Sequence, residues 1–172
     1  MPKVGSAVWL GIDPGVGGGL AAILSDGRVL TQAMPAVEVD AWDFIRQFTQ
    51  GDSDWDTYAV IEQQTPRPTG WFKDGHWQQS ILKSTCLLYG NYWFMRGLLT
   101  AAGVSFEECS PQRWQKELHI APREKGEKPS TWKNRLRGKA AQLYPKIRTT
   151  LATADALLLA HYCKMGVGHG VA

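Results

Sequence analysis

Three carboxylates stand where apolar stretches begin or end. Asp13 closes "AVWLGID" (residues 7–13), Glu62 closes "YAVIE" (58–62) and Asp155 sits near the start of "ATADALLLAHY" (152–162). A charge at the margin of a buried element is costly unless something compensates it. A divalent cation is one compensator. Magnesium takes a few carboxylates and completes its shell with water and substrate phosphate oxygens. Two such ions, ~3.5–4 Å apart, activate a water and stabilise the leaving oxygen of a phosphodiester. Each acid also has a plainer reading. Asp13, before Pro14-Gly15, is a good turn former. Glu62 could pair with a lysine, and Asp155 suits the positive end of a helix. Three acids in this arrangement point to magnesium, with manganese as a substitute, held by Asp13, Glu62 and Asp155, with a phosphate brought close by the glycines after Asp13.

Those acids need elements to carry them. Ala7–Ile12, Leu20–Ser25 and Val29–Ala33 read as strands, with Asp26-Gly27 as a hairpin turn. Asp40–Thr49 has helical spacing, with Asp40 as its N-cap. Tyr58–Glu62 is a further buried strand, Ser80–Ala102 a helix stopped by Gly103, and Ser105–Cys109 a fifth strand. Ser110-Pro111 opens a short helix to Leu118. The segment 121–129 reads as a flexible charged loop. Ser130–Tyr144 is helical, with Trp132, Leu136, Ala140 and Leu143 on one stripe, and Leu151–Met165 is the last helix. A β-meander followed by alternating helices and strands predicts a mixed five-stranded α/β sheet with helices on both faces. The expected organisation is one domain over residues 1–166 and a loose tail over 167–172.

The net charge of +3 is unevenly spread. Residues 113–148 carry eleven Lys and Arg against three Glu, which suggests a polyanionic partner or a solvated basic face. Cys86, Cys109 and Cys163 show no metal or redox spacing and read as reduced thiols. No stretch resembles a signal peptide or a membrane span, so a bacterial or phage-infected cytoplasm is the expected location, or an organelle if a targeting peptide was removed. No Walker-type glycine loop supports nucleotide binding. His119 and His161 have no evident ligand partners and read as structural.

"GIDPG", "VIEQ" and "ADALLLA", in this order and spacing, resemble the RuvC family of Holliday-junction resolvases in the ribonuclease H-like superfamily. "EQQTPRPTGW" and "SPQRWQKELHI" look closest to the chloroplast resolvase branch and its phage relatives. The resemblance implies a magnesium-dependent endodeoxyribonuclease acting as a homodimer. It would cut four-way DNA junctions by paired symmetric nicks, leaving ligatable 5′-phosphates and 3′-hydroxyls. It assigns Asp13, Glu62 and Asp155 as metal-binding acids and Lys133 as a lysine near the scissile phosphate. Where the family places a further Asp, His or Glu, one turn before the last aspartate, this chain has Ala152. Residues i and i+3 share a helix face, so Ala152 would stand beside Asp155. Three readings follow: three acids suffice, a ligand comes from elsewhere, or the alanine inactivates the site.

Two further stretches bear on DNA. Residues 63–79, "QQTPRPTGWFKDGHWQQ", form a long connection without periodicity, and such segments are commonly functional. Arg67, Lys73 and His76 offer polar contacts, while Trp71, Phe72 and Trp77 could stack on unpaired bases or fold back onto the core. This segment is the expected reader of the junction centre. Arg135, Arg137 and Lys139 fall off the apolar stripe of their helix and would contact the DNA backbone. The helix containing "LLYGNYWFMRGLL" is more apolar than one buried stripe requires, which a symmetric dimer would explain. Competing functions are a ribonuclease H-like nuclease for hybrids or simple duplexes, and a non-catalytic junction-binding protein.

Overall fold

The computed structural model describes residues 6–50, 55–64, 70–74, 76–79 and 83–167, with 70–73, 76–79, 83–84 and 167 described by backbone alone. Strands β1 (Ser6–Asp13), β2 (Gly19–Leu24) and β3 (Val29–Ala33) form an antiparallel meander. Helix α1 (Glu38–Arg46) leads to β4 (Trp55–Glu62), which pairs parallel to β1. Strands β5 (Gly70–Lys73) and β6 (His76–Gln79) form a separate two-stranded ribbon. After helix α2 (Lys83–Ala101), β7 (Ser105–Cys109) adds parallel to β4, so the main sheet has the order β3-β2-β1-β4-β7. Helices α3 (Pro111–Glu117), α4 (Pro129–Leu143) and α5 (Ala154–Val167) complete the chain.

The two-residue period of the strands divides the core. Val8, Leu10 and Ile12 join Leu20, Ala22, Ala59 and Ile61 in a layer filled by Phe44 and Ile45 of α1 and by Met95 and Leu99 of α2. The alternate residues Ala21, Ile23 and Val60 face the opposite layer, which is built from Trp114, Leu136, Ala140 and the α5 run Ala156–Ala160. Helices thus cover both faces, which buries the central strands and accounts for their continuous apolar runs. Gly11 permits the close seating of α5: a Cβ there would lie 2.1 Å from the Ala156 carbonyl oxygen and 2.2 Å from the Ala160 nitrogen. Among the described residues, no helix is long and apolar enough to cross a membrane.

Several local expectations are corrected. Residues 63–79 are not structureless throughout, because β5 and β6 pair as a ribbon with Phe72 opposite Trp77 and Lys73 opposite His76. Asp74, at the turn, has φ of 51°, a conformation that Asp tolerates. Helix α1 begins at Glu38 with Val37 as N-cap and no side-chain cap, so Asp40 lies inside the first turn rather than before it. Within residues 121–128, Arg123 Nε donates to the Glu127 carbonyl at 3.0 Å, and the Glu124 amide donates to the Glu127 carboxylate at 3.1 Å. The last helix runs from Ala154 through Val167, one residue into the expected tail, and 168–172 lie outside the described residues.

Candidate metal centre and nucleic-acid surface

Register brings the first two acids together. β1 and β4 are parallel neighbours, paired as far as Ile12 beside Ile61, so Asp13 and Glu62 are the next residues at the ends of adjacent strands. Both ends alternate away from the layer holding Ile12 and Ile61, toward α5. Helix α5 runs back over β1, from Gly11 against Ala156 and Ala160 to Lys164 over the Trp9 ring, so its N-terminal Asp155 returns to the Asp13 end. Asp13 and Asp155 are 7% and 4% exposed.

A local device fixes the start of α5. The Thr153 amide donates to Thr150 Oγ1 at 3.2 Å, and the Thr150 amide donates to Thr153 Oγ1 at 3.1 Å. This is a reciprocal capping box in which a threonine stands where glutamate is usual. Ala152 lies in that first turn, and the Ala154 amide already donates to the Thr150 carbonyl at 3.1 Å, so positions 152 and 155 follow one another at helical spacing as expected.

The glycines after Asp13 serve this packing. A Cβ on Gly18 would lie 2.6 Å from the Asp13 carboxyl carbon, and one on Gly19 would lie 2.7 Å from the Ala152 carbonyl oxygen. They admit the Asp13 side chain and the turn before α5. The Gly15 amide donates to Asp13 Oδ1 at 3.0 Å, so the turn reading of Asp13 also holds.

The three acids act on each other. Burial, and then the charge of Asp155, hold the Asp13 carboxyl above its usual range. Glu62 is pushed up to about 8 by burial and by the charges of Asp13 and Asp155. Lys133, from α4, supplies the compensating cation and ion-pairs with Asp155 Oδ2. Burial lowers the lysine's affinity for its proton, but the three carboxylates outweigh that effect and the net shift is upward. Glu62 is held by neutral donors: Trp114 Nε1 donates to Oε1 at 3.2 Å, and Gln64 Nε2 lies 3.4 Å from Oε2.

Among the described residues, no three His, Cys, Asp or Glu side chains are gathered tightly enough to grip an ion as they stand. The donor set nonetheless fits a cation. Among the described residues, Asp155 Oδ1 is buried without a hydrogen-bond partner, an expensive state for a carboxylate oxygen. Two neighbouring carboxyls resist ionising because they are buried and face one another's charge, which a cation would offset. Asp13, Glu62 and Asp155 are the residues that would hold the ion.

This electrostatic arrangement gives a pH prediction. The folded-state value of Glu62 lies above that of a free glutamate, so protonation stabilises the fold. That contribution is complete below about pH 4.5 and is lost as pH rises through about 8. In EDTA, thermal stability should therefore fall across this window. Glu62→Gln, which keeps an oxygen for Trp114, should flatten the fall, read from urea melts at successive pH values. Parallel profiles for the two proteins would refute the assignment.

The basic surface is only partly as expected. Arg137 is exposed and Lys139 half-buried on α4. Arg135 is taken up within the chain: its Nη2 donates to the Pro122 carbonyl at 3.1 Å and to the Glu127 carboxylate at 3.2 Å. Its guanidinium also stacks on Trp132 at 4.7 Å. The mostly buried Glu127 pairs with Arg135 and ties it to the 121–128 loop. Arg67 lies outside the described residues, as do the side chains of Trp71, Phe72, Lys73, His76 and Trp77. His161 is bonded to Tyr144 Oη at 2.7 Å, in keeping with a structural role.

Sequence reasoning missed Trp114, the threonine box and the ribbon. The Asp74-Gly75 pair between aromatic residues was the available signal for the ribbon. Thr150-x-x-Thr153 was a weak signal for the box. Nothing in the sequence marked the partner of Trp114.

An antiparallel meander extended by two parallel strands, with helices on both faces, defines the ribonuclease H-like fold. Within that class the chain is similar to Thermus thermophilus RuvC in complex with a Holliday junction substrate, with a TM-score of 0.56 and 16% identity over 95% of this chain and 96% of that one. It is also similar to a second Thermus thermophilus RuvC structure, with a TM-score of 0.50 and 16% identity over 92% and 96% of the two chains. The chain has a RuvC-like fold. No protein-family model and no curated protein sequence matches it.

Proposed function

We propose that this chain is a structure-selective endodeoxyribonuclease that resolves four-way DNA junctions by paired symmetric nicks, with magnesium as cofactor and a homodimer as the working unit. The observation that carries the reading is the meeting of Asp13, Glu62, Asp155 and Lys133 at one end of a RuvC-like sheet, with a buried Asp155 oxygen left unpartnered among the described residues. When bound, the cation supplies an acidified water and neutralises charge at the leaving oxygen. Asp13 and Asp155 hold it from rigid elements, a strand end and a capped helix start. The Lys133 stem is partly exposed, so its ammonium can turn from Asp155 toward a scissile phosphate and stabilise the charge gained there. Arg137 and Lys139 lie on the same helix and would contact backbone phosphates.

A junction offers two strands to cut in two-fold symmetry, which a two-fold dimer matches. The exposed positions along α2 support one. Leu87, Gly90, Trp93, Gly97 and Thr100 carry no charge, and Trp93 is 61% exposed. Among the described residues, nothing lies within 4 Å of a Cβ added at Gly90 or Gly97, so packing against them does not demand glycine. Arg96 stacks on Trp93 at 4.5 Å and pairs with Glu108 at 3.0 Å, presetting the indole for a second copy.

The test is a substrate panel of fixed four-way junction, flap, RNA–DNA hybrid and linear duplex, with magnesium or EDTA. Paired nicks in the junction alone, lost in EDTA, are expected. Equal cutting of the hybrid would replace junction selectivity with general ribonuclease H-like activity. Tight junction binding without nicking would replace the enzyme with a binding protein. Phe72→Ala should slow junction nicking by roughly tenfold, within the ~1–3 kcal/mol that one base–aromatic stack supplies. Its melting temperature should change little. A large stability loss with full activity would place the ribbon aromatics in the core instead.

A further inference from the structure

Trp114 is fully buried and belongs to the core layer under α5. Its single polar atom, the indole N–H, is spent on Glu62 Oε1 at 3.2 Å. An indole N–H donates one hydrogen bond and cannot accept. The ring is wholly buried in the layer that also holds Leu118, Leu136, Ala156 and Leu157, and a close-packed interior leaves the donor little freedom of direction. It reaches Glu62 from α3, which starts directly after β7 through Ser110 and Pro111. The neighbouring strand β4 carries Glu62 opposite Cys109, the last residue of β7. The β7–α3 corner therefore delivers a rigid donor to the carboxylate that ends the next strand. A core tryptophan needs no acid for its packing, and an acid ending a strand could have faced solvent.

We propose that Trp114 is a positioning residue for the metal centre: its N–H fixes the rotation of the Glu62 carboxylate and presents to the cation Oε2, whose contact with Gln64 Nε2 is a long 3.4 Å that a metal would displace. The inference rests on the proposed function, because it assumes that Glu62 holds a metal. Groups that orient metal-binding carboxylates typically contribute 10–100-fold in affinity.

The test separates the donor from the ring. Trp114→Phe removes the N–H and some volume. Benzothienylalanine at position 114, introduced by site-specific incorporation, replaces the N–H by sulfur at nearly constant shape. Magnesium alone is titrated into each full-length protein by calorimetry, junction nicking is followed against magnesium concentration, and melting is recorded in EDTA. The benzothienyl protein should melt like the parent, bind magnesium roughly 10–100-fold more weakly and need correspondingly more magnesium for half-maximal nicking. Its maximal rate and its junction affinity in EDTA should change far less. Magnesium affinity equal to the parent's, in a folded benzothienyl protein, would overturn the proposal and leave Trp114 a core residue. A parent that binds no magnesium and nicks no junction would instead overturn the functional reading, and this inference with it.

Discussion

Asp13→Asn is expected to abolish magnesium-dependent junction nicking, by at least about a thousandfold, while raising thermal stability in EDTA. Loss of one metal-holding oxygen removes several kcal/mol of transition-state stabilisation, and ~4 kcal/mol corresponds to a thousandfold in rate. The gain in stability has a separate origin. Asp13 is buried, and burial followed by the Asp155 charge makes its ionised form unfavourable. Asparagine keeps an oxygen for the Gly15 amide, now at 3.0 Å, and the same shape against Gly18. Only the unfavourable charge disappears. A gain of about 1 kcal/mol, or roughly 2–4 °C for a chain of this size, follows. The opposed effects mark a site held at the expense of stability. The measurements are nicking rates on a fixed junction and melting curves in EDTA. A variant that loses activity and also melts lower would make Asp13 a structural turn residue. One that retains activity would remove it from the metal centre.

The sheet was legible because buried strands announce themselves. The apolar runs around Val8–Ile12 and Ala59–Ile61 carry no competing helical period, and Asp26-Gly27 names its own turn, where Gly27 takes φ of 90°. The acids were legible because charge at the end of such a run is conspicuous. What failed to show was anything depending on a partner far along the chain. Arg135 sits off the apolar stripe, as a DNA-contacting residue would, yet Glu127 and two loop carbonyls claim it. Lys133 was named through the family resemblance alone, because its place beside Asp155 depends on α4 packing beside α5, which spacing does not carry. The glycines after Asp13 mark close packing, but their sequence cannot say whether the neighbour is a phosphate, a side chain or the turn at Ala152.

That turn sets the second large effect: Ala152→Asp is expected to raise magnesium-dependent nicking by at least about tenfold. The backbone there is fixed on both sides. Thr150 and Thr153 cap each other across it, and the Ala152 carbonyl packs where Gly19 lacks a side chain. A carboxylate introduced at 152 would project from a held position within the turn that leads directly to Asp155. Without a divalent cation, a fourth acid would join three that share one compensating lysine, so melting in EDTA should fall. With magnesium, the same charge adds an oxygen ligand, and the loss should be recovered or reversed. The diagnostic is this crossing: lower stability in EDTA, higher affinity for magnesium and faster nicking in one variant. If nicking and magnesium affinity stay at parental levels while the fold survives, Asp13, Glu62 and Asp155 form the complete set and Ala152 is a native spacer. If neither protein nicks but both bind the junction tightly, the chain is a binder of branched DNA built on a nuclease fold.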